Sequence, residues 1–224
     1  MPNSNIRVLI TGANRGIGLA LTKQFADRGY KVIAVCRQSS AELKKLPVEV
    51  IDNIDVTQSD SIRLVLEILS GRSIEILINN AGILRADQLF TLDDEDITNQ
   101  FLVNALAPLR VTQALVHLLS ENSKVIMITS RMGSMADNTS GSYYGYRMSK
   151  AALNAVAVSL ANDLKDKKVA VAAIHPGFVQ TDMVDHAGDI SADTAAERIV
   201  ARIDALDLKN TGTFFHSNGE ILPW

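Results

Sequence analysis

The amino-acid sequence predicts an α/β fold in which a doubly wound parallel sheet of seven strands carries helices on both faces. Short apolar, β-branched runs alternate with longer amphipathic stretches along the whole chain, a pattern typical of such a sheet. A glycine-rich turn directly follows the first apolar run. No linker rich in proline, glycine or serine divides the 224 residues, so residues 1–224 are expected to form a single domain.

The seven apolar runs are the predicted strands, and they cover residues 7–10, 31–36, 48–51, 74–78, 124–129, 169–174 and 212–215. The amphipathic stretches predict helices over residues 16–28, 59–70, 95–120, 144–165 and 192–206, with one short helix over 41–46. Ser59 and Ser191 stand at the starts of two helices and are expected to be their N-caps. Doubly wound sheets bind ligands at the carboxyl ends of their strands, so functional residues are expected there.

The composition excludes several classes of function. The net charge of -3 comes from intermixed acids and bases, so the chain lacks the basic stripe that nucleic acid or anionic lipid requires. The polar residues 1–5 show no signal-peptide pattern, and no apolar run approaches the length of a membrane span. Cys36 is the only cysteine, and the four histidines lack metal-ligand spacing. We expect a cytoplasmic protein without nucleic-acid, membrane or metal partners.

The glycine-rich turn, Thr11-Gly12-Ala13-Asn14-Arg15-Gly16-Ile17-Gly18, lies between the first predicted strand and the first predicted helix. Gly12 permits the tight turn, Gly16 lets the backbone approach a pyrophosphate, and Gly18 allows helix and strand to pack closely. The helix N-terminus offers N–H groups and a positive dipole end to the phosphates. This context predicts a single-domain Rossmann fold in which a dinucleotide is bound by Gly12, Asn14, Arg15, Gly16, Ile17 and Gly18.

The end of the second predicted strand indicates which dinucleotide is bound. An NAD-binding fold usually places an acidic residue there to accept the ribose 2′-hydroxyl, but this chain has Cys36 followed by Arg37. Arg15 can approach the same corner, and two guanidiniums suit a 2′-phosphate. The pattern favours NADP(H) over NAD(H). The alternative is that both arginines are simply solvated.

Tyr146 is the only tyrosine with a lysine, Lys150, four residues later. Residues four apart share a helix face, so the ammonium is expected to favour ionisation of the phenol. Tyr143 and Tyr144 have Arg147 and Met148 at the corresponding positions and are expected to be pocket walls or packing residues. A single tyrosine–lysine pair with this spacing usually has no catalytic role. Its catalytic interpretation therefore depends on the other motifs.

Taken together, these residues resemble the short-chain dehydrogenase/reductase superfamily over the whole chain. The motifs that carry the resemblance are residues 11–18, 55–56, 79–82, 103–104, 128–130, 146–150 and 175–181. Finer features, at residues 130–134, 146–154 and 219–224, resemble its C-factor or sniffer-like carbonyl reductase branch.

The resemblance implies roles for further residues around the cofactor. Asp55 and Val56 would flank the adenine, while Asn80, Ala81 and Gly82 would line the adenosine ribose. Pro176 and Gly177 would turn the chain over the cofactor, and Val179 and Thr181 would meet the nicotinamide carboxamide. Tyr146 and Lys150 also belong to this cofactor-binding set, since Lys150 would hydrogen-bond the nicotinamide ribose.

The resemblance also implies a catalytic set formed by Asn104, Ser130, Tyr146 and Lys150. Asn104 would kink the backbone and hold a water in a proton relay with Lys150, although an asparagine in this helical pattern is more often solvated or capping. Tyr146 would donate the proton, and Ser130 would hold the carbonyl oxygen. The usual serine position falls on Gly133 here, so Ser130, at the end of a strand, is favoured over Ser134.

The resulting expectation is NADPH-dependent reduction of an aldehyde, ketone or quinone. The alternatives are an NADP-dependent secondary alcohol dehydrogenase that works oxidatively and a C-factor-like nucleotide-binding signalling protein with little catalysis. Residues 182–190 are expected to be a short substrate lid over an apolar pocket near Met132, Met135, Met183 and Phe178, unless these side chains fill the core. Extra apolar faces on helices 95–120 and 144–165 predict a homodimer or homotetramer.

Overall fold

Seven strands form one parallel sheet in the computed structural model, which describes residues 5–224. The strands are β1 (Arg7–Thr11), β2 (Lys31–Val35), β3 (Glu49–Ile51), β4 (Ile74–Asn79), β5 (Leu119–Ile128), β6 (Ala170–His175) and β7 (Thr213–His216). Their order is β3-β2-β1-β4-β5-β6-β7, which confirms the predicted sheet. The expectation that the chain starts without a signal peptide concerns residues 1–5, and residues 1–4 lie outside the described residues.

The described residues, 5–224, form six α-helices. They are α1 (Gly16–Asp27), α2 (Ser59–Leu69), α3 (Asp94–Phe101), α4 (Ala107–Leu115), α5 (Tyr144–Asp163) and α6 (Ala192–Ala205). Helices α1 and α6 share one core with one face of the sheet, while α2, α4 and α5 share a second core with the other. Successive strand residues therefore enter opposite cores, as Val8 and Leu9 do in β1. This explains why the strands read as continuous apolar runs.

The strand order reverses between β1 and β4. The chain builds outward from β1 through β2 to β3, then crosses back to place β4 on the other side of β1. The two connections leave the sheet in opposite directions, so a crevice opens at the carboxyl ends of these two strands. The candidate site lies in this crevice.

The prediction of a single helix over residues 95–120 is wrong. A π-helical turn, Leu102–Leu106, separates α3 from α4, and a 3₁₀ turn, Val116–Leu118, precedes β5. Pro108 supplies a physical reason, because it has no N–H to donate to the carbonyl of Asn104 and its ring would clash with that carbonyl in a regular α-helix. Residues 119 and 120 belong to β5, which begins earlier than residue 124.

Two smaller predictions also need correction. The short helix over residues 41–46 is reduced to a 3₁₀ turn, Leu43–Lys45. Ser59 is not an N-cap, since α2 begins at Ser59 and its N-cap is Gln58, whose side chain makes no capping bond. Ser191 does cap α6, and its Oγ accepts a hydrogen bond of 3.1 Å from the backbone N–H of Thr194.

The helical stretch Asp94–Leu118 reaches the length and mean hydropathy, 1.3, of a membrane span, contrary to the sequence-based expectation. Its apolar composition has an explanation within the fold. Val111 and Leu115 of this stretch are buried in the same core as Leu77 of β4 and Val125 of β5. The composition is therefore that of a helix packed against a sheet.

Replacement of the two helix-start serines tests the capping assignment. Ser191→Ala is expected to lower the free energy of unfolding by about 1 kcal/mol, because the Thr194 N–H loses its acceptor. Ser59→Ala, at an exposed position without a capping bond, is expected to change it by less than about 0.5 kcal/mol. Urea denaturation of both variants measures the difference, and equal losses would contradict the assignment.

Candidate active site

A cleft of about 630 Å³ opens at the carboxyl ends of the central strands. The predicted site residues in its lining are Gly12, Asn14, Arg15, Gly16, Ile17, Gly18, Arg37, Asp55, Val56, Asn80, Ala81, Gly82, Tyr146, Lys150, Pro176 and Thr181. Asn104, Ser130, Val179 and Gly177 are not part of this lining. The first three are buried, and Gly177 packs beside Ile190. The fold therefore gathers residues from distant parts of the sequence around one cavity.

The glycine-rich turn requires glycine for two different reasons. Gly12 and Gly16 have φ angles of +66° and +52°, in the left-handed region. At Gly18 the reason is space, since a Cβ there would lie 2.1 Å from the carbonyl oxygen of Gly12. The turn thus keeps its backbone open to the cleft, and a bound phosphate could reach the N–H groups at the start of α1.

Asn80 joins this turn to the end of β4. Its Nδ2 donates to the backbone oxygens of Thr11, at 3.0 Å, and Gly12, at 3.1 Å. In return, Thr11 Oγ1 accepts from the N–H groups of Asn80 and Ala81, both at 3.1 Å. The Asn80 side chain therefore holds the cleft wall together, which is a structural role that the sequence motif did not reveal.

The corner at the end of β2 carries no carboxylate at position 36. Cys36 is buried and its Sγ donates to Asp52 Oδ1 at 3.2 Å. Burial and then the neighbouring Asp52 raise the pKa of the Cys36 thiol to about 12. Arg37 is exposed, and Arg15 forms an ion pair of 3.0 Å with Asp182 at the start of the predicted lid. Both guanidiniums lie at the cleft, although Arg15 is engaged with a carboxylate.

Tyr146 and Lys150 lie on α5 with 8% and 4% of their surfaces exposed. Burial raises the pKa of the Tyr146 phenol to about 12, and the neighbouring Ser130 side chain opposes that rise. Burial lowers the pKa of the Lys150 ammonium to about 8. The prediction that Lys150 lowers the pKa of Tyr146 is therefore wrong for this structure. Lys150 Nζ donates instead to the Ile128 carbonyl at 2.9 Å, and it lies 5.8 Å from the phenol ring centroid.

The two candidate serines have different surroundings. Ser130 follows β5, and its Oγ accepts from the Met132 N–H at 3.1 Å. Its side chain is also close enough to the Tyr146 phenol to oppose the rise that burial causes in the pKa of that phenol. Ser134 is 2% exposed, and its Oγ accepts from the Asp137 N–H at 3.1 Å. The geometry thus brings Ser130 to the tyrosine and leaves Ser134 as a cap of its own loop.

Asn104 sits in the π-helical turn, where its side chain bonds with protein groups. Oδ1 accepts from the Ile83 N–H at 2.8 Å, while Nδ2 donates to the Ile83 carbonyl at 2.8 Å and to Ser149 Oγ at 3.0 Å. A Cβ on Gly82 would lie 3.2 Å from Asn104 Oδ1 and 3.7 Å from Lys150 Nζ. Asn104 therefore fixes the strand-to-loop segment that passes directly over Lys150.

This arrangement can donate a proton to a developing alkoxide. The phenol is protonated near neutral pH, a second hydroxyl stands beside it, and a lysine whose pKa is about 8 lies behind it. A hydroxyl pair of this kind can hold a carbonyl oxygen and protonate it as negative charge develops.

Comparison with known proteins places these features in context. Residues 7–192 match the family model for short chain dehydrogenases. A 1-hydroxy-2-glutathionyl-2-methyl-3-butene dehydrogenase of Rhodococcus sp. (strain AD45) is 38% identical over 223 residues, covering 97% of this chain and 99% of that protein. The C-signal protein of Myxococcus xanthus is 40% identical over 154 residues, covering 67% of this chain and 93% of that protein.

The fold is similarly matched by a solved structure. The crystal structure of an NADPH-bound carbonyl reductase from chicken fatty liver has a TM-score of 0.89 and 29% identity, covering 97% of this chain and 98% of that one. The resemblance predicted from the motifs is confirmed by these similarities.

The pKa of Lys150 generates a pH-dependent prediction. It is about 8 in the folded protein and near 10.4 in unfolded chains, so the unfolded state binds more protons between these values. The free energy of unfolding should therefore rise with pH as the buried ammonium becomes neutral. We expect the difference between wild type and Lys150→Met to shift in favour of wild type by about 2 kcal/mol from pH 7 to pH 9.5.

Urea denaturation without added cofactor measures this shift at both pH values. Lys23→Met, at an exposed position of α1, is the matched control and should show no such trend. A Lys150 difference that stays constant or moves against wild type would contradict the assigned burial of the ammonium.

Proposed function

The chain belongs to the short-chain dehydrogenase family, and on this premise we propose that it is an NADPH-dependent reductase of small carbonyl compounds. The observation that carries the proposal is the buried cluster of Ser130, Tyr146 and Lys150 at the wall of the cleft. The reaction converts an aldehyde, ketone or quinone carbonyl into a hydroxyl group. The chicken carbonyl reductase of the same fold binds NADPH, which supports the choice of cofactor.

The residues of the cleft fit a dinucleotide phosphate. The open backbone at Gly12 and Gly16 suits the pyrophosphate, and Arg15 and Arg37 would hold the 2′-phosphate, where no carboxylate opposes it at position 36. Asp55 and Val56, in the cleft lining, would flank the adenine. Pro176 and Thr181, which line the cleft together with Tyr146 and Lys150, would lie at the nicotinamide. NADPH, when bound, supplies the hydride.

The protein's own groups then complete the reduction. Ser130 Oγ and the Tyr146 phenol hold the carbonyl oxygen, and the phenol donates its proton to that oxygen as the carbon–hydrogen bond forms. The product is an alcohol and the residue left behind is a phenolate. Lys150, still mostly protonated at pH 7 with its pKa of about 8, stabilises this phenolate until solvent returns the proton.

The protonated Tyr146 phenol is the form that reduction requires near neutral pH. Oxidation of an alcohol needs a phenolate to accept the hydroxyl proton, whereas a pKa of about 12 keeps the phenol protonated. The alternative of a signalling protein with little catalysis is less well supported. A protein that only binds a nucleotide does not need a buried tyrosine and lysine, which carry a desolvation cost.

The substrate end of the cleft is mainly apolar. Ile83, Val103 and Met183 line it, and Phe178, which precedes the lid in the sequence, has 47% of its surface exposed. Met135 is 72% exposed and Met183 is 40% exposed, so neither methionine fills the core. Of the predicted pocket residues only Met183 lines the cleft, whereas Met132, Met135 and Phe178 do not. Met183 with Ile83 and Val103 supports an adaptable pocket for small apolar carbonyl compounds.

A homodimer or homotetramer is part of the proposal. Helix α5 exposes Met148 and leaves Val156 and Leu160 only partly buried, which are features of a face that packs against a partner. We expect sedimentation velocity at micromolar concentration to give a mass of two or four chains. A single-chain mass would contradict this expectation.

The central test is NADPH oxidation at 340 nm with a panel of aldehydes, ketones and quinones. Tyr146→Phe is expected to lower kcat by about 100-fold or more, because the proton donor is removed. Tyr144→Phe, two residues earlier, is the matched control and should retain the wild-type kcat within about two-fold. NADH should support lower rates than NADPH, since it cannot engage Arg15 and Arg37 through a 2′-phosphate.

Full turnover by Tyr146→Phe would refute the assigned proton donor. A wild-type protein that binds NADPH but reduces no member of the panel would favour the signalling alternative.

A further inference from the structure

Residues 83–87, here called the strap, run from the cleft wall to the start of α5. Side chains of other segments hold the strap at two points. Asn104 bonds both the N–H and the carbonyl of Ile83, and Gln100 Oε1 accepts from the Arg85 N–H at 2.9 Å. At its far end, Asp87 is 9% exposed. The strap is thus a fixed connection, and the question is what its buried carboxylate does.

Asp87 supplies hydrogen-bond acceptors to the first turn of α5. Its Oδ1 accepts from the Tyr144 N–H at 2.5 Å and its Oδ2 from the Gly145 N–H at 2.9 Å. Its backbone oxygen accepts from the Tyr143 N–H at 2.9 Å. Three successive amides at the helix start are therefore satisfied by one residue that lies far away in the sequence.

The local sequence does not provide this cap. The N-cap of α5 is Tyr143, which has a left-handed φ of 55° and makes no side-chain capping bond. The first amides of a helix have no acceptor within the helix, and buried amides without acceptors are costly. A carboxylate also interacts favourably with the positive end of the helix dipole. Asp87 therefore determines where α5 begins.

The start of α5 matters because Tyr146 follows Gly145 directly and belongs to the same first turn. First turns are the parts of helices that fray when their amides lose their partners. Packing also limits adjustment, since a Cβ on Gly145 would lie 2.6 Å from Gln100 Nε2 and 3.1 Å from Ile97 Cα. Because Tyr146 follows Gly145, a shift of this turn would change the position of the phenol relative to Ser130.

We propose that Asp87 is a positioning residue for the reduction, because its carboxylate caps α5 and so holds the Tyr146 phenol where it meets Ser130 and the carbonyl oxygen. The proposal rests on the proposed reductase function. Asp87 acts only through the helix start and makes no contact with the reacting atoms.

The test compares Asp87→Ala and Asp87→Asn with Asp93→Ala. Asp93 is a matched control, because its Oδ1 caps α3 by accepting from the N–H groups of Glu95, at 2.9 Å, and Asp96, at 3.1 Å. For each variant, kcat and KM with NADPH and the best carbonyl of the panel are measured. The Kd for NADPH is measured by fluorescence, and the folded fraction by thermal unfolding.

Asp87→Ala is expected to lower kcat roughly 10- to 100-fold, as expected for a displacement of a catalytic group by about 1 Å. The Kd for NADPH should change less than about three-fold, since the glycine-rich turn, Arg15 and Arg37 keep their places. Asp87→Asn should recover part of kcat, because its amide oxygen still accepts one of the two side-chain bonds. Asp93→Ala should keep the wild-type kcat, although it loses a cap of the same chemistry.

A wild-type kcat in Asp87→Ala would overturn the proposal, and so would an equal loss of kcat in Asp87→Ala and Asp93→Ala. Where Asp87→Ala fails to fold, Asp87→Asn decides: a reduced kcat with an unchanged Kd for NADPH supports the proposal, and a wild-type kcat overturns it. Absence of carbonyl turnover by the wild-type protein would instead overturn the proposed function itself, together with this inference. Turnover by wild type separates the two cases.

Discussion

The close approach of α1 to the end of β1 is the constraint on which the cleft depends. A Cβ at Gly18 would lie 2.1 Å from the Gly12 carbonyl oxygen and 2.5 Å from Asn80 Nδ2. That amide nitrogen is also the donor to the Thr11 and Gly12 carbonyls. The turn, the helix and the end of β4 are therefore packed as one unit. A larger residue at position 18 would separate them and disturb every group placed along the cleft.

Burial acts on the two titratable groups of α5 in the same physical sense. Removal from water disfavours both charged forms, so the pKa of Tyr146 rises and the pKa of Lys150 falls. Because the pKa of Lys150 is lower than that of Tyr146, a protonated Lys150 can give a proton to a Tyr146 phenolate. A spacing of four residues predicts that the two side chains are neighbours, but it contains no information about desolvation. The direction of the Tyr146 shift is therefore a property of the tertiary structure.

Much of the fold could be predicted from the sequence because its signals are local. Each strand is a short apolar run, and the turn at Gly12 carries its own backbone requirements. The features that sequence reasoning missed depend on distant contacts. The break at Leu102–Leu106 involves Asn104 bonding to Ile83, and the cap of α5 comes from Asp87, 57 residues before Tyr144. For Asp87, the only sequence signal is a lone acid in a loop, which has many ordinary explanations.

The burial of β1 on both faces has a consequence for how the sheet acquires its register. Val8 and Ile10 enter one core and Leu9 the other, and all three are fully buried. A slip by one residue would exchange the two cores without exposing an apolar side chain, so hydrophobicity alone is nearly indifferent to alignment. The polar ends break this degeneracy. The backbone N–H of Arg7 donates to Glu75 Oε2 at 2.6 Å, and Thr11 Oγ1 accepts a hydrogen bond from the Asn80 N–H. These polar groups at the margins therefore add to side-chain packing in selecting one alignment.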